Sequence, residues 1–253
     1  MRRGRAWLLL GLAVAGRPLA AQAPPDSAAA DTTAPRPVRW YGAAAVAAGV
    51  TALIFVADEP VRQWAQEVRT PVTDDVARLL THFGQPEVVL TVPAGMALVA
   101  LLTGNDALLR SSGRVAGSFV VSFAATRVLK FGVGRARPFE EEGARSFHPF
   151  SEPDAALPSG HATAAFSLAA SLSNEIGRWW ATVPLYTLAT GTAWARINDD
   201  KHWLGDVTLG AAVGITSAQV MTGRWTVFGL GTPQFLVAPD EVAVSMTVPF
   251  RLR

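Results

Sequence analysis

Three short segments of this sequence combine cationic or histidine side chains with residues that shape the backbone. The first, KFGVGRARP, ends at Pro138 and contains Lys130 and Arg137. Because proline interrupts a helix and restricts the residue before it, these two cations are expected at a helix end beside a loop. Ammonium groups and planar guanidinium groups are donors that suit the oxygens of a phosphate.

The second segment, Pro158-Ser159-Gly160-His161, precedes a predicted helix. The N-terminus of a helix offers free N–H groups and the positive end of the helix dipole, which together bind anions. Ser159 adds a hydroxyl group, and Gly160 lets the backbone approach a ligand closely. This segment is therefore predicted to bring backbone amides and the His161 imidazole to an anion.

The third segment, RINDDKHWLGD, runs from Arg196 to Asp206. His202 and Asp206 are four residues apart, which places them on one face of a helix start. A carboxylate in that position holds one imidazole nitrogen as N–H and leaves the other free as a nucleophile or base. The three segments together predict metal-free phosphoryl transfer through a phosphohistidine. In this chemistry, charge-assisted hydrogen bonds of about 1.5–3 kcal/mol each stabilise an anionic transition state.

The three patterns K-x6-R-P, P-S-G-H and R-x5-H-x3-D resemble, in this order, the signature motifs of the type 2 phosphatidic acid phosphatase family. Its superfamily also includes bacterial class A acid phosphatases and vanadium haloperoxidases. The resemblance implies an all-α helical bundle and a phosphatase that uses no metal ion and no other cofactor. One position departs from the pattern, because Ala195 stands where the family usually has a serine.

The resemblance also implies a role for individual residues. The phosphoryl group would be bound by Lys130, Arg137 and Arg196, with amide contacts from Ser159 and Gly160. His161 resembles the general acid that protonates the leaving group, and His202 resembles the nucleophile. Asp206 resembles the residue that orients this nucleophile.

Composition excludes several other classes of protein. Hydrophobic residues make up 50% of the 253 residues and charged residues 17%, so the chain is not intrinsically disordered. The 22 basic and 20 acidic residues leave a net charge of +2, which argues against a nucleic-acid partner. The absence of cysteine excludes a thiolate phosphatase, a cysteine-ligated zinc site and disulfides.

Periodicity predicts an all-α bundle of about six main helices over residues 40–221. The predicted helices are Tyr41–Ala57, Val88–Thr103, Arg114–Phe131, His161–Ile176, Trp179–Ala195 and Trp203–Met221, with shorter amphipathic ones at Pro60–Arg69 and Thr73–Phe83. The first two are the strongest candidates to span a membrane, and His161–Ile176 is a weak one. Membrane embedding is favoured, and a soluble or peripheral bundle remains an alternative.

The two ends of the chain differ from this helical domain. Residues 1–23 have the basic start, short apolar run and small residues of a signal peptide, with an uncleaved anchor as the alternative. Residues 24–39 are rich in proline, alanine and threonine, which is typical of a linker. In the tail, residues 222–253, period-two alternation around a Pro239-Asp240 turn predicts a β-hairpin.

These observations predict an exported, membrane-associated phosphatase of the bacterial cell envelope, with its site on the periplasmic side. The expected partner is a phospholipid or isoprenoid-phosphate substrate: phosphatidic acid, phosphatidylglycerol phosphate or undecaprenyl diphosphate. Three membrane crossings before Lys130 would instead place the site on the cytoplasmic side. The alternatives are a soluble periplasmic nonspecific acid phosphatase, a vanadium haloperoxidase, and a structural membrane protein whose pocket has decayed.

Overall fold

A computed structural model of the protein describes residues 6–13, 36–37, 55–151, 154–226, 234–238 and 241–250. Seven α-helices lie within these ranges: α1 (55–67), α2 (Pro71–Thr81), α3 (Pro86–Thr103), α4 (Asp106–Val133), α5 (Gly160–Ile176), α6 (Trp179–Asn198) and α7 (Leu204–Met221). This confirms the predicted all-α bundle. Short 3₁₀ turns follow α2 at His82–Gly84 and begin the α4–α5 loop at Pro138–Glu140.

Local sequence explains where the helices around the three motifs begin and end. The Asn105 side chain accepts a hydrogen bond from the backbone of Leu108 at 3.0 Å and caps α4, which therefore starts earlier than predicted. Gly134 ends α4 in the left-handed conformation, at φ +61°. A side chain there would collide with the backbone of His148, so only glycine fits. Ser159 is the N-cap of α5.

Side-chain contacts fix the directions of the central helices. Arg114, in the first half of α4, pairs with Glu175 near the end of α5, so these two helices are antiparallel. The end of α5 also meets the start of α6, and the two helices form an antiparallel pair. In contrast, α5 and α7 run parallel and very close. A Cβ on Gly214 of α7 would lie 2.4 Å from the carbonyl oxygen of Thr163 on α5.

This arrangement gathers four helix ends at one end of the bundle: the C-termini of α4 and α6 and the N-termini of α5 and α7. The three motifs occupy these four ends. Around this core, α2 packs on α6, and α3 packs on α4. The positions of the motifs therefore follow from the alternating course of the chain.

The first helix differs from its prediction. Residues 55–67 form one continuous helix through Pro60, where the sequence predicted a break. Proline removes one backbone donor, but its fixed φ is compatible with helical geometry. Most of the predicted Tyr41–Ala57 helix lies outside the described residues.

Three helices, α3, α4 and α7, are long and apolar enough to cross a membrane. In α3 only 17% of the apolar window is buried inside the protein, and Leu98, Leu101 and Leu102 are exposed. This agrees with the prediction for Val88–Thr103, whereas α5 does not meet the criterion among the described residues. The exposed apolar faces of α3 and α4 are consistent with contact to lipid.

A small antiparallel sheet joins the two ends of the chain. Strands β4 (Gln234–Ala238) and β5 (Glu241–Phe250) form the predicted hairpin. Strand β1 (Ala6–Ala13) pairs with the other edge of β5. A short parallel pairing joins β2 (Arg36–Pro37) to β3 (Trp225–Thr226). The signal peptide, the linker and the domain boundaries remain predictions.

Candidate active site

A cavity of about 240 Å³ lies at the end of the bundle where the four helix ends meet. Six of the eight predicted site residues line it: Lys130, Arg137, Gly160, His161, Arg196 and His202. The two imidazoles therefore face one cavity and not two separate ones. Ser159 and Asp206 are fully buried and lie behind this lining.

Lys130 and Arg137 are held by the loop that leads into α5. Lys130, in the last turn of α4, is only 6% exposed, and its Nζ donates a hydrogen bond to the Ala155 carbonyl oxygen. Arg137 donates from Nε and Nη2 to the Asp154 carbonyl oxygen, at 3.1 and 2.8 Å. Each cation keeps further N–H groups, so both can donate to a bound oxyanion while the loop fixes their position.

Arg196 lies in the last turn of α6 and is almost fully buried. Its Nη1 donates to Asp199 Oδ2 at 3.1 Å. Its Nε is buried and has no hydrogen-bond partner among the described residues. A buried donor without a partner is unfavourable by about 1–3 kcal/mol, so this guanidinium is ready to bind an anion in the cavity.

The start of α5 is anchored to the start of α7. The backbone N–H of Ser159 donates to the Asp206 carbonyl oxygen at 2.9 Å. The Ser159 hydroxyl accepts from Ala162 N at 3.5 Å, as an N-cap. Gly160 and His161 follow and line the cavity, so the helix N-terminus lies beside the imidazole as predicted. The resemblance implied an amide contact from Ser159 to the phosphoryl group, whereas this N–H is bonded to the Asp206 carbonyl oxygen and the side chain caps α5.

His202 and Asp206 are neighbours at the start of α7. His202 Nδ1 lies 3.5 Å from Asp206 Oδ2, which accepts a hydrogen bond from Trp203 N at 2.8 Å. Nδ1 itself makes no hydrogen bond within the described part of the chain. The Asp206 carboxylate therefore faces Nδ1, and Nε2 is the nitrogen available to a ligand.

The electrostatics of the cavity favour neutral imidazoles. Burial, followed by the charges of Lys130, Arg137 and Arg196, lowers the pKa of His202 well below its usual value. Burial and the same two arginines lower the pKa of His161 to about 4. A neutral His202 has the free lone pair that a nucleophile needs. His161 is neutral in the free protein and cannot act as a general acid. A bound anion offsets the charge of the surrounding cations and raises the pKa of His161, so that it can hold a proton.

Sequence reasoning missed two residues behind this site. Arg135 lies within the first motif but points away from the cavity, where it pairs with Asp206 and with Asp58 of α1. All three side chains are fully buried. A possible signal was the position of Asp58 directly after a long uncharged run.

Other polar and aromatic residues near the site have structural contacts. Trp203 is buried and donates from Nε1 to the Ala136 carbonyl oxygen, so it packs behind the site. Asp199 and Asp200 form a polar turn, and Asp200 pairs with Arg62. Within the described ranges there is no group of three acidic, histidine or cysteine residues that could hold a metal ion.

One wall of the cavity is apolar. Phe119 and Phe123 of α4 lie one turn apart and in contact, with ring centroids 5.8 Å from each other and ring planes tilted by 35°. Phe119 is 8% exposed and Phe123 is 49% exposed, so this wall runs from the interior to the outer face of α4. Arg127, also on α4, lines the cavity and pairs with Asp154 at 3.2 Å. The cations therefore lie next to an apolar surface that continues onto a candidate membrane helix.

Comparisons with known proteins agree with this geometry. Residues 112–227 match the family model of the PAP2 superfamily. A lipid A 1-phosphatase from Porphyromonas gingivalis is 37% identical over 98 residues, which span 38% of this chain and 19% of that relative. The structure of Aquifex aeolicus LpxE is similar in fold, with a TM-score of 0.50 and 17% identity over 64% of this chain and 93% of that one. The structure of a PAP2 type phosphatidylglycerolphosphate phosphatase from Bacillus subtilis has a TM-score of 0.49 and 20% identity. The match covers 69% of this chain and 91% of that one.

Proposed function

We propose that the protein hydrolyses a lipid phosphate through a phosphohistidine on His202, on the premise that residues 112–227 match the family model of the PAP2 superfamily. The cavity carries this proposal, because it joins two imidazoles and four cations to an apolar wall on α4. The name of one relative, a lipid A 1-phosphatase, supports a lipid substrate.

The first half of the proposed reaction forms the phosphoenzyme. The phosphoryl oxygens accept hydrogen bonds from Lys130, Arg137 and Arg196, with backbone amides of the α5 N-terminus beside them. The Nε2 lone pair of His202 attacks phosphorus and forms an N–P bond. The P–O bond to the lipid breaks at the same time, and His161 gives its proton to the departing oxygen. Asp206 stabilises the positive charge that develops on His202.

The second half restores the protein. His161, now neutral, removes a proton from a water molecule that attacks phosphorus. The N–P bond breaks, its electron pair returns to His202, and inorganic phosphate leaves. In this cycle His161 acts first as acid and then as base, which requires the substrate's negative charge to raise its pKa in the complex.

We further propose that the bundle is embedded in a membrane of the bacterial envelope and that the chain is exported, with the site on the periplasmic side. The three apolar helices support the embedding. Protease access to the 140–151 segment of the α4–α5 loop, in intact and in lysed spheroplasts, tests on which side of the inner membrane the site lies. Cleavage only after lysis of the spheroplasts would contradict the periplasmic placement.

Phosphate release tests the proposed activity. The purified protein is assayed in detergent with EDTA on phosphatidic acid, phosphatidylglycerol phosphate, undecaprenyl diphosphate, a lipid A 1-phosphate and a soluble aryl phosphate. We expect turnover of at least one lipid, with a higher kcat/KM than for the soluble ester. Loss of all activity in EDTA would contradict the mechanism, and preference for the soluble ester would favour a nonspecific acid phosphatase.

A pair of variants isolates the contribution of the apolar wall. Phe123→Ser places a hydroxyl on the wall and is expected to lower kcat/KM for the lipid but not for the soluble ester. Val128→Ser is the matched control, because Val128 is 71% exposed on the same helix and does not line the cavity. Equal effects of the two substitutions would argue against the Phe119–Phe123 wall as the lipid-binding surface.

A further inference from the structure

Behind the proposed nucleophile lies a buried network of three charged side chains, Asp58, Arg135 and Asp206. Arg135 Nη1 donates to Asp206 Oδ1 at 2.8 Å, and Nη2 donates to Asp58 Oδ2 at 2.6 Å. Nε and Nη2 of Arg135 also donate to the Ala144 carbonyl oxygen, at 3.0 and 2.6 Å. The guanidinium is therefore fixed from three directions, and each carboxylate depends on it for its main ion pair.

The second oxygens of the two carboxylates hold the first turn of α7. Asp58 Oδ1 accepts from the backbone N–H of Gly205 at 2.7 Å. Asp206 Oδ2 accepts from the backbone N–H of Trp203 at 2.8 Å and lies 3.5 Å from His202 Nδ1. The series of ion pairs from Asp58 on α1 through Arg135 to Asp206 thus fixes the position of the Asp206 carboxylate relative to the His202 imidazole.

Stability alone is a poor explanation for this network. Three fully buried charges carry a large desolvation penalty, and apolar residues of similar size often replace such groups without loss of stability. Two carboxylates and one guanidinium also leave one negative charge uncompensated within the network. That charge lies beside His202, whose other neighbours are the cations Lys130, Arg137 and Arg196 and the titratable His161.

We infer that Asp58 and Arg135 are positioning residues that act through Asp206 to align the His202 imidazole and to stabilise the positive charge it gains on phosphorylation. This inference rests on the proposed function. Arg135 fixes the Asp206 carboxylate, and Asp58 fixes Arg135 and supplies the excess negative charge. Neither residue lines the cavity, so the network affects the transition state more than the binding of the ground state.

The test uses two variants. Asp58→Asn keeps the shape of the side chain and removes its charge, and Arg135→Lys keeps the charge and removes the paired N–H donors of the guanidinium. Glu175→Gln is the matched control, because Glu175 accepts a bidentate pair from Arg114 at the opposite end of α5. For each protein we measure kcat and KM for the best lipid substrate. Inhibition by orthovanadate, which resembles the five-coordinate transition state, is compared with inhibition by inorganic phosphate.

We expect Asp58→Asn to lower kcat by about 10-fold, within the range of coupling measured inside contact networks, and to leave KM unchanged. The inhibition constant of vanadate should rise by a similar factor, while that of phosphate should not change. Arg135→Lys should show the same pattern, and Glu175→Gln should leave all four quantities at wild-type values.

Three results would overturn the inference. The first is wild-type kcat and vanadate inhibition in Asp58→Asn. The second is an equal change for phosphate and vanadate, which indicates general damage to the anion site. The third is an Asp58→Asn protein that fails to fold, since the network would then be structural only. If the wild-type protein hydrolyses no substrate but binds vanadate, the proposed function fails and the vanadate comparison still decides the inference.

Discussion

The substitution Arg196→Lys separates anion binding from stability at the site. In the free protein, Arg196 Nε is a buried donor without a partner among the described residues, which is unfavourable by about 1–3 kcal/mol. Lysine removes this donor. It also removes the 3.1 Å bond to Asp199, a partly exposed pair worth about 0–1 kcal/mol. These two effects oppose each other, so the stability of the protein should change little.

Catalysis should respond more strongly. An ammonium group retains the charge but cannot reproduce two parallel N–H donors, so at least one charge-assisted bond to the phosphoryl group is lost in the transition state. At about 1.5–3 kcal/mol for such a bond, kcat/KM should fall about 10- to 100-fold. The assay is steady-state phosphate release, with thermal unfolding of the same detergent-purified protein.

Arg62→Lys is the matched control for this experiment. Arg62 forms a bidentate pair with Asp200 at 2.7 and 2.8 Å, close to the site but outside the cavity lining. The control should lose up to about 1 kcal/mol of stability and keep its kinetics. Wild-type kcat/KM in Arg196→Lys, or a large loss of stability with intact kinetics, would refute the reasoning.

Three further predictions concern His161 and the helix packing. His161→Ala should impair esters with poor leaving groups more than an aryl phosphate, since a good leaving group needs less protonation; equal losses in both ester classes would contradict its role as the acid. Because burial lowers the pKa of His161 to about 4, the unfolded chain takes up this proton at a higher pH than the folded protein. The contribution of His161 to stability is therefore complete above about pH 6.5 and falls by about 3 kcal/mol at pH 4. Acid unfolding of His161→Asn checks this value, and an unchanged pH dependence would disprove it. Gly214→Ala should destabilise the protein by about 1–3 kcal/mol, because the added Cβ meets the Thr163 backbone at 2.4 Å. Gly132→Ala, whose Cβ would meet nothing within 4 Å, should have no such effect in thermal unfolding.

Most of the cavity could be predicted from the sequence because its motifs are local. A proline after Arg137 and a serine-glycine pair before His161 mark helix ends, and helix ends of an alternating bundle meet. Lys130, Arg137, His161, Arg196 and His202 accordingly line one cavity. Ser159 has the right position in the chain, but its cap geometry turns the hydroxyl away from that lining.

The Asp58–Arg135–Asp206 network was beyond sequence reasoning for a physical reason. The first motif contains two arginines separated by one residue, and nothing local indicates which of them faces the cavity. Arg137 faces the cavity and Arg135 forms the buried ion pairs because Asp58 of α1 lies next to Arg135. Helix α1 precedes the motif by more than 60 residues and meets it only in the folded protein. The parallel packing of α5 on α7 is likewise a tertiary property, visible in sequence only as Gly210 and Gly214.

The central claim is that His202 carries the phosphoryl group during turnover. Rapid acid-free quenching of the wild-type protein with a ³²P-labelled substrate, followed by peptide mapping, tests it directly. The account predicts an acid-labile label on the peptide that contains His202, and no label or turnover in His202→Ala. A label on any other residue, or turnover that persists in His202→Ala, would contradict it.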